Sequence, residues 1–335
     1  MKFSFLSDFN RIFSLFDNKF KIKYLILILL SIIASVFEFF SISLLIPLVS
    51  SFTGENDLLN NYLNKLGLEN KFNDLIGIET IILIFMTVYL LKFVFLIFLV
   101  YFKNYFIFSL QKELFLKLYR SYIYRDYYFH LYNNSAKLIR NLIQNIQQLT
   151  VGYLSSFSNI VLETLVVFSL IILIALFQTN TSLIIIFSLG LIIFIVLNYL
   201  KKIAKKLGEN RQVFFLSHLK SIMQSLEGIK EIKIFLKENK TLSIARKNLT
   251  ALTKNNYFIQ FLNETPRLVF ELLAIMASLL MLKIFINIGY SLETIVTYFV
   301  IIIAVIIRIL PSTNKIMTSF INLSVNKPAL EIVCD

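Results

Sequence analysis

Staples, breaks and metal ligands are scarce in this sequence. Its 335 residues include eight glycines, four prolines, one cysteine and no tryptophan. One cysteine, Cys334, excludes an internal disulfide framework. The two histidines, His130 and His218, lie far apart in sequence, so no metal-site spacing exists and no metal ligand is assigned. No glycine is followed by lysine, so the G-x-x-x-x-G-K-[ST] loop that cradles nucleotide phosphates is missing. Few glycines and prolines also mean few interruptions to helices.

Apolar side chains dominate what is present. Hydrophobic residues make up 57% of the chain, with 34 phenylalanines and a mean hydropathy of +0.75. Such a chain could not cover a water-soluble core with polar groups, which places it among membrane proteins. A net charge of +13 would fit nucleic acid, but the distribution of that charge points elsewhere.

Six apolar segments stand out, at about 24–48, 78–102, 151–177, 182–200, 268–288 and 292–310. Each is about long enough to cross a hydrocarbon core of ~30 Å. The first follows Lys19, Lys21 and Lys23, like a signal peptide. It is too long for a signal core, contains Glu38 and lacks a small-residue cleavage site, so it reads as a retained span. Outside the spans, Lys and Arg number five before the first, seven in the 103–148 connection and fourteen in the 200–267 connection. The 51–77 loop carries two against four acids, and the turns near 178–181 and 287–291 carry none. This alternation places both termini and the two long connections in the cytoplasm. The basic surplus is a topology signal, and no nucleic-acid partner is expected.

Two external turns are short, so their flanking helices form tight hairpins. The two cytoplasmic connections keep helical periodicity, which predicts that spans two to five continue as helices beyond the membrane. Each helical pair then needs a turning element. In the second pair it is "EGIKEIKIFLKEN", 227–239, with Ile229, Ile232, Phe235 and Leu236 at helical spacing. In the first it is "YYFHLYNN", 127–134, with Asn134 or Ser135 capping the next helix. Leu58, Leu59, Tyr62, Leu63 and Leu66 predict a short external helix over about 56–68 on the outer membrane surface.

This plan resembles the transmembrane domain of type IV (exporter-type) ABC transporters, and within them the PglK-type lipid-linked oligosaccharide flippases. "NNSAKLIRNL" (133–142), "LEGIKEIKIFLKEN" (226–239) and the external helix carry the likeness. The implied fold is an all-α membrane domain over residues 1–325. It has six transmembrane helices, long cytoplasmic helical extensions and two coupling helices seated on a nucleotide-binding domain. Contacts to that domain are expected from Glu231, Ile232 and Phe235 in the second coupling helix and from Tyr128 and His130 in the first. Neither a P-loop nor an LSGGQ-like signature is present. ATP and magnesium are therefore expected on a nucleotide-binding domain outside this sequence, with residues 326–335 as the start of a linker to it. No cofactor and no catalytic residue is assigned here, and the assembled pump would be an ATP-hydrolysing translocase.

Ionisable residues inside spans are costly and mark cavities or partners. Here they are Glu38, Lys92, Glu163 and Arg308, with Glu264, Arg267 and Glu271 at the start of span five. The resemblance implies that Arg308, Arg267 and Lys92 face a central cavity and meet the substrate's diphosphate, although Lys92 stands where the family implies arginine. Intramembrane ion pairing is the competing expectation: Arg267 with Glu264 or Glu271, and Lys92 or Arg308 with Glu38 or Glu163. The implied function is ATP-driven flipping of a polyprenyl-diphosphate-linked oligosaccharide across the bacterial inner membrane. The chain would pair with a second copy of itself or a related half-transporter. Export of another lipid, a peptide or a drug is the alternative, and a membrane scaffold independent of ATP is a third reading.

Overall fold

The computed structural model describes residues 11, 13, 17–53, 78–177, 180–289 and 292–334. The external helix expected over 56–68 lies outside these residues. No strand occurs among them.

Helix α1 (Asn18–Ser43) gives way at Leu44 to the short α2 (Leu45–Thr53). Pro47 explains the break, because it has no N–H to offer the carbonyl four residues back. Helix α3 (Ile78–Ile123) is 46 residues long and contains neither glycine nor proline, so it runs unbroken for about 70 Å. The six-residue α4 (Tyr127–Tyr132) turns the chain into α5 (Ser135–Arg140). Asn134 caps α5, its side-chain oxygen accepting from the Ala136 N–H at 2.8 Å. Two π-helical stretches, Asn141–Asn145 and Gln148–Leu154, lead into α6 (Ser155–Phe177).

Helix α7 (Asn180–Glu227, 48 residues) and helix α9 (Glu238–Ile288, 51 residues) form the second long hairpin, joined by the six-residue α8 (Ile229–Ile234). Gly289 ends α9 at φ 84°, a left-handed position that suits glycine. Helix α10 (Leu292–Cys334) continues through Pro311 and Pro328. Among the described residues, four helical stretches are long and apolar enough to cross a membrane: Asn18–Ser50, Glu79–Ile123, Ser135–Leu173 and Glu238–Ile288. The fourth and sixth apolar segments fall within α7 and α10.

The helices form two limbs that share α10. In the first limb α1, α3 and α6 close on residues such as Leu27, Ala34, Leu99, Phe106, Leu110, Val166 and Leu170, with Val305, Leu323 and Leu330 supplied by α10. In the second, Ala204 of α7 and Ile259, Leu262 and Phe270 of α9 pack on Met317, Ile321 and Val325 of α10. Glycine sets the closest approach. A Cβ at Gly208 would meet the Val325 carbonyl oxygen at 2.2 Å, so only glycine lets α7 lie this near α10. A polar bridge ties the limbs as well, with Gln212 donating to Gln148 at 2.7 Å, and within the second limb Asn255 donates to the Leu207 carbonyl at 3.0 Å.

The predicted 227–239 helix is shorter than its apolar spacing implied. Glu227 closes α7, α8 spans only Ile229–Ile234, and Glu238 already begins α9. Leu236 turns the chain with φ 47°, and the Lys237 N–H reaches the Ile232 carbonyl at 3.0 Å. A residue in that conformation cannot continue a right-handed helix. The first turning element likewise ends at Tyr132, not Asn134, because Asn133 and Asn134 are extended.

Candidate functional site

Three ionisable residues from three helices meet inside the first limb. Glu38 of α1 is 1% exposed. It accepts from Lys92 of α3 at 2.8 Å on one oxygen and from Arg308 of α10 at 2.5 Å on the other. Lys92 also donates to the Ser41 hydroxyl at 2.9 Å, and its ammonium lies 4.8 Å from the centre of the Tyr89 ring. Lys92 and Arg308 keep 12% and 27% of their side-chain surface exposed. Among the described residues the buried Nε of Arg308 has no partner. Two cations thus share one carboxylate, and one positive charge is left over where the surroundings are apolar. The competing ion-pair expectation is realised for Lys92 and Arg308, with Glu38 as the common acceptor.

Arg267 is not brought to this cluster. It lies exposed on α9, in the other limb. Among the described residues it has no ion pair with Glu264 or Glu271, and Gln260 instead holds Glu264 at 2.6 Å.

Sequence reasoning missed a second charged group. Glu163 of α6, the other acid named for pairing, accepts from Lys315 of α10 at 2.7 Å. One turn earlier on α6, Asn159 accepts from Lys103 of α3 at 2.8 Å. Lys103 and Lys315 sit at span ends, where lysine reads as a topology marker, so nothing local signalled them.

The other candidate surface is at the hairpin ends. On α4, Tyr128 and Tyr132 share a hydrogen bond of 2.9 Å, and both rings are exposed, with Tyr127 and Leu131 beside them. The hydrogen bond with Tyr132 raises the pKa of the Tyr128 phenol. His130 Nε2 donates to the Tyr122 carbonyl at 3.1 Å, so it fastens α4 to the end of α3. On α8, Ile232 turns inward to the crevice between α7 and α9, beside Ser221, Gln224, Thr241 and Ile244. Phe235 is 67% and Leu236 is 81% exposed, with Ile229 and Ile234 also exposed. Glu231 is exposed in the first turn of α8. Lys233 bridges to Glu238 at 3.1 Å. The Glu238 carboxyl is held below the usual carboxylate range by its own backbone N–H and by that lysine. Apolar tips of this size, unsupported by packing, are the mark of an interaction surface.

Long helical hairpins with exposed apolar ends, below an apolar bundle with a charged interior, are the setting for the comparison with known proteins. Residues 24–310 match the family of ABC transporter transmembrane regions. The chain belongs to that family. It is accordingly the permease part of an ABC transporter and a multi-pass membrane protein. ABC permeases of this exporter type work with a nucleotide-binding domain, and the hairpin ends α4 and α8 are the exposed apolar surfaces this permease offers at its two turns.

Proposed function

We propose that this ABC permease has six spans, at about 24–48, 78–102, 151–177, 182–200, 268–288 and 292–310. In this reading its termini are cytoplasmic, it lies in the bacterial inner membrane, and it flips a polyprenyl-diphosphate-linked oligosaccharide or a related anionic lipid outward. The membrane domain, expected over residues 1–325, continues along α10, whose Leu330 packs in the first limb, and ATP and magnesium belong to a nucleotide-binding domain. One six-span unit builds half of the chamber, so a second copy or a related half-transporter completes it. Helices α4 and α8 act as coupling helices. Tyr128, Phe235 and Glu231 contact the nucleotide-binding domain, while His130 and Ile232 hold the two short helices on their hairpins. Closure of the ATPase pair then moves the long helices as levers.

The observation that carries this reading is the surplus positive charge of the Lys92–Glu38–Arg308 cluster, buried where an uncompensated charge is costly. A diphosphate headgroup supplies the missing negative charge, and the Arg308 fork matches its oxygens. Arg267 adds a cation from α9, on the far side of α10, once the dimer chamber is assembled.

The test is transport by the transporter reconstituted with its ATPase. Arg308→Gln leaves Glu38 paired with Lys92, so folding is kept. It is expected to abolish flipping of a polyprenyl-diphosphate glycan while basal ATP hydrolysis persists. Arg308→Lys should retain partial activity, because it keeps the charge and loses the fork. Full flipping by Arg308→Gln refutes the diphosphate reading, and transport of uncharged lipids or drugs by that variant favours the alternative cargo.

A further inference from the structure

The two charged groups inside the first limb repeat one another. Lys103 follows Lys92 by about three helical turns on α3, and Lys315 follows Arg308 by about two turns on α10. At 100° per residue both steps return to the same helix face to within about 20°. Each group therefore draws one cation from α3 and one from α10. The carboxylate comes from α1 in one group and from α6 in the other. The group with Lys103 and Lys315 lies about 10–16 Å nearer the hairpin end, from the helical rise over those intervals.

We infer that Lys103, Lys315 and Asn159 form a second phosphate-binding station, through which an anionic headgroup passes on its way to Lys92 and Arg308. Glu163 is one carboxylate for two lysines. Its bond to Lys315 is 2.7 Å, and Lys103 is bonded to the neutral Asn159. Among the described residues Lys103 makes no direct ion pair and feels Glu163 only at longer range, so with two lysines on one carboxylate a positive charge is again left over at a half-buried site. Lys315 is 47% exposed and is reachable without unfolding anything. Asn159 and Glu163 occupy successive turns of α6, so an oxyanion placed between the two ammonium groups is flanked by an amide. Among the described residues the second oxygen of Glu163 is buried with no partner, and it is placed to accept a hydroxyl of the same headgroup. The ligand class is a phosphate or diphosphate monoester that carries hydroxyl groups. Two cationic stations along one face divide a long, costly transfer of charge into two shorter steps, and neither step leaves the anion bare in hydrocarbon.

The inference rests on the phosphate path proposed above, and the experiment separates the two. Inorganic pyrophosphate is titrated calorimetrically into the full chain in nanodiscs, with sodium chloride at matched ionic strength as the screening control. Wild-type protein is expected to bind at two sites. Lys103→Gln keeps a donor for Asn159 and leaves the Lys315–Glu163 pair intact, so it should fold. It is expected to weaken one site by about tenfold, and Lys103→Arg should restore it. Arg308→Gln should weaken the other site. If Lys103→Gln binds as wild type while Arg308→Gln loses a site, the second station is overturned and the first stands. If only Lys103→Gln loses a site, the first fails and the second stands. Binding no stronger than the chloride control overturns both.

Discussion

Glu38 is the residue on which the interior charge depends. It is buried and accepts from two cations on different helices. Glu38→Gln would leave Lys92 and Arg308 facing each other without a counter-charge. Removing one partner of a buried pair costs about 3–5 kcal/mol, and the partial exposure of both cations lowers this to about 2 kcal/mol. A lower Tm in detergent is therefore expected, with pyrophosphate raising the Tm of the variant more than that of wild type. Equal shifts would mean that the anion does not take the place of the carboxylate. The sequence exposed the charges of this cluster, because ionisable residues stand out in apolar runs. It left their pairing open, since partners as far apart as Glu38 and Arg308 meet only through tertiary packing. Lys103 and Lys315 were illegible for another reason. A lysine beside a span end is the commonest of topology signals, and only its contact with α6 distinguishes these two.

At the scale of elements, the long helices and the places where they turn were legible, and the ends of the short turning helices were not. Unbroken helical periodicity and scarce glycine announced α3, α7 and α9. The apolar spacing of Ile229, Ile232, Phe235 and Leu236 ran on through a turn, because Leu236 adopts a left-handed conformation that leucine rarely signals. The result divides one apparent stripe into two jobs. Ile232 anchors α8 in the crevice between α7 and α9, while Phe235 and Leu236 face outward. Phe235→Asp should leave the amount of protein in the membrane unchanged and lower transport-coupled ATP hydrolysis by at least about tenfold. A polar group can be accommodated at the exposed position but not in a docked interface. Ile232→Asp should instead loosen the hairpin end, seen as faster proteolysis between α7 and α9. Normal coupled hydrolysis in a stable Phe235→Asp protein would remove Phe235 from the docked interface.

The whole molecule is organised by its charge asymmetry and by α10. The alternation of Lys and Arg between connections predicts which ends face the cytoplasm, and the single Cys334 makes the test simple. In a Cys334→Ser background, Asn287→Cys should react with a membrane-impermeant maleimide in intact cells. Lys237→Cys should react only after the membrane is opened. The reverse pattern would invert the topology. The membrane class and all-α fold were readable from composition and helix plan, and the ABC family through the resemblance of that plan and its motifs. The two-limbed packing around α10 was not, because it depends on close approaches such as Gly208 against Val325. The shared carboxylate of Glu38 has a thermodynamic consequence for the pump as a whole. If the proposed anion arrives at Lys92 and Arg308, it competes with a Glu38 carboxylate already in place, so its affinity is the difference between two sets of bonds. The chamber carries its own internal competitor. In the proposed function, affinity for cargo is lowered by that exchange, release at the far side is eased by the same amount, and the empty chamber returns with one of its two positive charges balanced.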